Sequence, residues 1–139
     1  MLREFFEKYQ IGDAAVAAGV SGGADSLALL FQLDAFLRPQ GRRVIALTVD
    51  HGLRPESRDE AEYVAKLAAE RQIEHHILTW EGKKPEKGIE EAARTARYGL
   101  LCGWCRDNGV GTLAVAHHLL DQAETFFMLS LIHIYEPTR

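Results

Sequence analysis

Apolar and polar positions along the chain fall into short continuous runs and longer periodic stretches. Residues 14–20 form an apolar run that stops at Ser21-Gly22-Gly23, the way a buried parallel strand ends in a tight turn. Residues 25–37 are apolar nearly all round, which predicts a helix packed between a sheet and its neighbours; Pro39 and Gly41 end it. A second apolar, β-branched run covers 44–49 and closes at Asp50-His51-Gly52. A helix is expected to start near Ser57, where Ser57 and Glu60 have capping-box spacing behind Pro55, with Ala61, Val64, Ala65 and Ala68 as its inner stripe. Residues 73–80 read as a third strand and the lysine-bearing stretch 81–88 as a loop. Residues 89–107 predict a long helix with the stripe Ile89, Ala92, Ala93, Ala96, Leu100 and Trp104, stopped by Asn108-Gly109. A fourth strand is expected over 112–116 and a fourth helix from Leu119 onward. This alternation predicts an α/β fold: an open parallel sheet with right-handed crossovers and helices on both faces.

Composition narrows the class. A chain of 139 residues is one domain's worth of protein. With 47% hydrophobic and 26% charged residues it has ample material for a core, so disorder is not its dominant state. Apolar runs such as 14–18 are too short to span a bilayer, and the mixed charges of Arg3, Glu4 and Glu7 fit neither a secretory signal nor a transit peptide. Two cysteines are too few for a disulfide scaffold, so a cytoplasmic protein without membrane partners is expected. The formal net charge of −4 does not suit a strongly basic nucleic-acid binder; an RNA partner needs a local patch or a further domain.

In open parallel sheets ligands sit beyond the carboxyl ends of the strands. Three polar clusters fall there, residues 21–26, 50–54 and 117–124, and they should converge. The first is Ser21-Gly22-Gly23-Ala24-Asp25-Ser26, between a strand and a helix. Glycines allow close approach of backbone to ligand, the helix start offers N–H groups, and the serines add hydroxyls, which together make an anion site suited to phosphate. It is neither a Walker A loop, having no lysine, nor Gly-x-Gly-x-x-Gly. A carboxylate at Asp25 beside a phosphate implies Mg²⁺ between them. The competing reading is a plain strand–helix turn capped by Asp25.

Ser-Gly-Gly-x-Asp-Ser resembles the signature of the N-type ATP pyrophosphatases, or PP-loop proteins, which cleave ATP to AMP and pyrophosphate. Within that group the chain resembles the tRNA(Ile)-lysidine synthetases in four ordered segments: SGGADS (21–26), VDHGLRPES (49–57), GIEEAARTARY (88–98) and AHHLLDQAET (116–125). The resemblance covers roughly 14–129 and implies a Rossmann-like sheet of the adenine nucleotide alpha hydrolase type. It implies ATP and Mg²⁺ as cofactors. The implied reaction is adenylation of the wobble cytidine of tRNA(Ile) with a CAU anticodon, followed by displacement of AMP by free L-lysine to give lysidine. Two rivals stand beside it: a sibling pyrophosphatase (a tRNA thiolase or an amide-forming synthetase), and a non-catalytic nucleotide-binding module.

Arg94 and Arg97 are three apart on one helix face. With no lysine in the loop, their planar guanidinium groups are the natural supply of charge for a triphosphate, and the resemblance places them in the active site. The alternative is a solvated face paired with Glu90 and Glu91. Asp121, expected in the first helical turn after the fourth strand, is assigned with Asp25 to Mg²⁺ and catalysis. Many proteins of the family read Asp-Asp-Gln where this chain has Leu120-Asp121-Gln122, so only the second acid is carried over. The expected ATP-binding set is Ser21, Gly22, Gly23, Ala24, Asp25, Ser26, Asp50, His51 and His117, with Glu124 as an accessory. Asp50 has an equal alternative as the acceptor that orders its own loop. A zinc site at His117, His118 and Asp121 is disfavoured, because adjacent residues of an extended segment point opposite ways. A related thiolating family holds an iron–sulfur cluster on cysteines, but the single Cys102/Cys105 pair lies inside the predicted helix and reads as packing. Residues 1–129 are read as an incomplete N-terminal PP-loop catalytic domain and 130–139 as a non-native tail. An apolar patch is expected at Phe126, Phe127, Leu129 and Leu131.

Overall fold

The central strand, β1 (Ala15–Gly19), is buried on both faces because its alternate side chains serve two separate cores. The computed structural model describes the backbone of residues 2–121 and 124–133 and the side chains of residues 2–116. β2 (Arg43–Asp50) and β4 (Thr112–Asp121) flank β1 in parallel, β3 (Glu74–Thr79) lies parallel beyond β2, and β5 (Glu124–His133) lies antiparallel beyond β4. Val16 and Ala18 of β1, with Val44 and Ala46 of β2, face a core shared with α1 (Leu2–Lys8), α2 (Ala24–Leu37) and α3 (Ser57–Glu70). Ala17, Ile45 and Leu47, with Leu113 and Val115 of β4, face Leu101 and Cys105 of α4 (Ile89–Asp107). Continuous apolar runs, rather than alternating ones, are what a sheet covered on both faces requires.

The chain leaves β1 toward β2 and β3, then crosses back through α4 to place β4 on the other side of β1. That reversal puts α4 on the face opposite α2 and α3 and opens a crevice at the strand ends. Among the described residues no helix is long and apolar enough to cross a membrane.

One element was not foreseen and three expectations are corrected. Leu2 and Phe6 are buried in a short N-terminal helix that the charge pattern concealed; Phe6 meets Phe36 edge-on at 5.1 Å. Ser57 does not cap α3: the cap position is Glu56, and the Ser57 hydroxyl donates instead to Asp50 Oδ1 at 2.7 Å. The inner stripe of α4 runs through Leu101 and Cys105, about one residue away from Leu100 and Trp104, which are only half-buried. Ala93, Arg97, Leu101 and Cys105 are spaced by four, so the inner face includes an arginine that a search for apolar positions skips. Last, no helix begins at Leu119. β4 continues to Asp121 and pairs with β5 from Asp121↔Glu124 to Thr112↔His133. The segment that forms β5 is rich in aromatic and β-branched residues, which fit a pleated surface. The patch expected at Phe126, Phe127, Leu129 and Leu131 concerns side chains outside the described ones, and residues 134–139 lie outside the described residues altogether.

Candidate functional site

The backbone after β1 bends through Ser21-Gly22-Gly23 into α2 without left-handed geometry. Gly23, at the cap position, has φ −72° and ψ 151°, and Gly22 is not among the residues of positive φ. A Cβ on Gly22 would meet nothing closer than Glu60 Cβ at 3.9 Å, and one on Gly23 would meet Ser21 Oγ at 3.4 Å. Neither the backbone nor the packing therefore requires glycine here. Without side chains these two residues leave the main chain uncovered, which is what close approach of a ligand would use. The loop is ordered from within: Ser21 N–H donates to Ser26 Oγ at 2.9 Å, and Ser26 Oγ lies within 2.9 Å of Ser21 O. The first main-chain bond of the helix runs from Leu27 N–H to Gly23 O, so the N–H groups of Ala24, Asp25 and Ser26 precede the ladder at the positive end of α2. Asp25 is in that first turn, half-buried.

This loop forms one wall of a cleft of about 310 Å³ at the strand ends. Ser21 and Gly22 meet His51 and Arg54 from beyond β2, Glu60 and Ala61 from α3, and Ala93, Arg94 and Arg97 from α4. Two of the three expected clusters and the arginine pair thus converge. Among the described residues neither Arg94 nor Arg97 forms an ion pair, although Glu90 and Glu91 share their helix; Arg97 lies 5.7 Å from the Tyr98 ring centre. Of the alternative, the pairing with Glu90 and Glu91 is not found among the described residues, while Arg94 itself is exposed. The missing side chain of Gly19 lets α4 and β4 pack close to β1: a Cβ there would lie 3.1 Å from Leu101 Cδ1 and 3.2 Å from Val115 Cγ1, while an Arg97 terminal nitrogen 3.5 Å away would be in ordinary contact. That role of Gly19 was hidden within an apolar run of the sequence.

Asp50 does not line the cleft. It is buried, and its Oδ1 accepts from the Ser57 hydroxyl and from Gly52 N–H at 3.1 Å, with Arg58 at 4.0 Å from Oδ2. Gly52 has φ +65°, which its lack of a Cβ permits. Asp50 therefore orders the turn that carries His51 into the cleft, and His51 Nδ1 in turn accepts from Leu53 N–H at 3.1 Å. On the rim, Arg54 and Glu60 pair at 3.4 Å, both exposed.

The third cluster is placed only by its backbone. His117 is two residues past Val115, which is level with Gly19; its side chain lies outside the described ones. Asp121 is six residues past Val115 in an extended strand, which at about 3.3 Å per residue carries it some ~20 Å beyond that level. The described backbone does not bring Asp121 beside the loop, and its helical setting is not found. Cys102 and Cys105 are remote from the cleft lining; burial pushes the Cys105 thiol up to about 11, which suits packing and not ligation. Among the described residues no group of three His, Cys, Asp or Glu is placed to hold a metal ion.

The model of the PP-loop domain matches residues 1–133. The chain belongs to the PP-loop family. Two curated PP-loop relatives carry the name tRNA(Ile)-lysidine synthase. That of Methylobacterium sp. (strain 4-46) is 51% identical over 113 residues, 81% of this chain and 32% of the relative. That of Mesorhizobium japonicum is 48% identical over 125 residues, 88% of this chain and 27% of the relative. The chain thus spans about a third or less of the length of these relatives. Among solved structures, a U34-tRNA thiolase, NcsA from Methanococcus maripaludis with its 4Fe–4S cluster, superposes with a TM-score of 0.70. It is 21% identical and the match covers 82% of this chain and 42% of that one, a likeness of fold alone.

Proposed function

We propose that this PP-loop chain binds Mg²⁺-ATP in the strand-end cleft and serves the adenylation step of lysidine formation on tRNA(Ile). The observation that carries the reading is the convergence in one cleft of Ser21-Gly22 with two arginines that no described carboxylate neutralises. Main-chain N–H groups at the start of α2 would hold phosphate oxygens, and the guanidinium groups would take the charge that a P-loop lysine takes elsewhere. The wobble cytidine attacks the α-phosphorus, the bond to the β-phosphate breaks, and pyrophosphate leaves with the charge that Arg94 and Arg97 stabilise. The amine of lysine then forms its bond to the cytosine ring, AMP departs, and the amine loses a proton. Mg²⁺, when bound, would offset the repulsion between the phosphates and Asp25. Asp121 enters as the second acid through its sequence motif and not through the described geometry. His117 enters in the same way as a polar wall of the nucleotide site.

Lysine and a tRNA(Ile) with a CAU anticodon are the proposed substrates, in the cytoplasm. The relatives' extra length matters here, because net charge −4 gives this chain little general attraction for a polyanion. The test is a chimera in which this chain replaces the matching N-terminal third of a full-length relative. Pyrophosphate release that requires both lysine and tRNA(Ile) supports the reading. Release that needs neither, or needs a sulfur donor, overturns it.

A further inference from the structure

The rim of the cleft carries a third arginine, set differently from Arg94 and Arg97. Arg54 and Glu60 line the cleft beside Ser21 and Gly22, and both also line an adjoining hollow with Glu56 and Asp59. Their ion pair is loose. One Arg54 terminal nitrogen lies 3.4 Å from each Glu60 carboxylate oxygen, where Arg38–Asp34 closes to 2.8 Å and Arg58–Glu62 to 3.0 Å. Both side chains are about half exposed, so the pair contributes little to the fold. The main chain is fixed where the side chain is not: Arg54 O accepts from Ser57 N–H at 3.1 Å, and the Ser57 hydroxyl is bound to buried Asp50. Glu60 is in the first turn of α3, where the helix dipole favours a carboxylate. Its Cβ is 3.9 Å from where a Cβ on Gly22 would lie. A negative charge is thus held next to the loop that a polyphosphate would approach.

We infer that Arg54 is a further polyphosphate-binding residue, held by Glu60 until the incoming anion displaces that carboxylate. The inference rests on the nucleotide reading above. In the free chain Arg54 neutralises Glu60. When a polyphosphate lies against Ser21 and Gly22, the guanidinium turns to it and exchanges a contact through one nitrogen for a planar, two-bond contact. The anchored main chain stays in place, so the exchange needs only side-chain rotation. Glu60 opposes binding in two ways: it competes for Arg54, and it repels the phosphates. A rim pair that merely supports the fold would respond alike to removal of either partner. An exchange makes the two removals act in opposite directions.

The probes are ATP and inorganic tripolyphosphate, each with Mg²⁺, titrated calorimetrically onto the whole chain. Glu60→Gln should tighten both by about threefold, within the range that an exposed ion pair supplies. Arg54→Gln should weaken both by about fivefold or more, as loss of a charge-assisted contact requires. Arg54→Lys should recover only part of that loss, because lysine lacks the planar fork. Asp59→Asn removes the same charge from the adjoining hollow without freeing Arg54, and should tighten binding clearly less than Glu60→Gln does. Shifts of the same sign in Glu60→Gln and Arg54→Gln would make the pair structural and overturn the inference. A gain in Asp59→Asn as large as that in Glu60→Gln would overturn it too, by making Glu60 one charge among several. Failure of the wild type to bind either ATP or tripolyphosphate would bring down the nucleotide reading and this inference together. Wild-type binding of both, with affinities unchanged in Glu60→Gln and Arg54→Gln, would bring down this inference alone.

Discussion

At the residue scale the argument turns on Arg94 and Arg97. Arg97 lies on the inner face of α4 and is half-buried, while Arg94 is exposed at the cleft mouth. Lysine at either site keeps the charge and loses the planar fork, so a bidentate phosphate contact is broken while the general field remains. Arg97→Lys should weaken Mg²⁺-ATP binding by at least about tenfold, equivalent to roughly 1.4 kcal/mol, and Arg94→Lys by less. Titration of both variants checks this; two neutral substitutions would leave the arginines a solvated face. A second residue-scale expectation concerns Cys105. With its thiol at about 11, held there first by burial and then by Cys102, almost none is thiolate at neutral pH. Native protein should resist iodoacetamide at Cys105, as read by mass spectrometry, and react there once unfolded. The serine–glycine loop and the arginine pair were legible in the sequence because their chemistry depends on residue type at short spacing. Asp50's loop-ordering role was legible as one of two equal readings, but its bond to Ser57 was not, since Ser57 read as a helix cap and only the fold decides which bond the hydroxyl makes.

At the element scale, α3 is tied to the end of β2 through that same bond. Removing the hydroxyl by Ser57→Ala leaves a buried carboxylate with one fewer donor, which should cost about 1–3 kcal/mol. Urea denaturation would measure it, and a change of under a few tenths would show that Arg58 or water compensates. β3 carries a pH-dependent contribution. Burial holds His75 below its ordinary value of 6.5 in the fold, so the unfolded chain binds the proton more readily. Stability from this residue is complete above 6.5 and declines as pH falls toward the lowered native value. Glu74 is lowered first through its bond to His76, then through Arg43, so its contribution is lost as pH falls below 4.5, in the same direction. The melting temperature should therefore drop as pH is taken below 6.5, and His75→Asn should flatten that first part of the decline. An unchanged profile in the variant would mean that His75 is solvated. Beyond α1, helix and strand identities up to Ala116 were readable from periodicity. The phase of α4 was not, because the arginine on its inner face is polar by type and inward by geometry.

At the scale of the whole molecule, the sheet order and the two-faced core follow from continuous apolar strands alternating with helices, which is why the fold class was legible. The antiparallel β5 was not. The expectation of a helix from Leu119 continued the strand–helix alternation of the preceding chain and passed over the aromatic and β-branched composition of 124–133. The reversal of chain direction around β1 brings loops 21–26 and 50–54 and the first half of α4 to one crevice, and the central claim is that this crevice is an ATP site. The most direct measurement is a crystal structure of the chain with Mg²⁺ and a non-hydrolysable ATP analogue. The account predicts phosphate oxygens within hydrogen-bond reach of the N–H groups of Gly22 to Ser26, the Arg97 guanidinium on the same phosphates, and Mg²⁺ beside Asp25. A nucleotide bound elsewhere, or phosphates in the cleft that touch neither the loop nor Arg97, would contradict it.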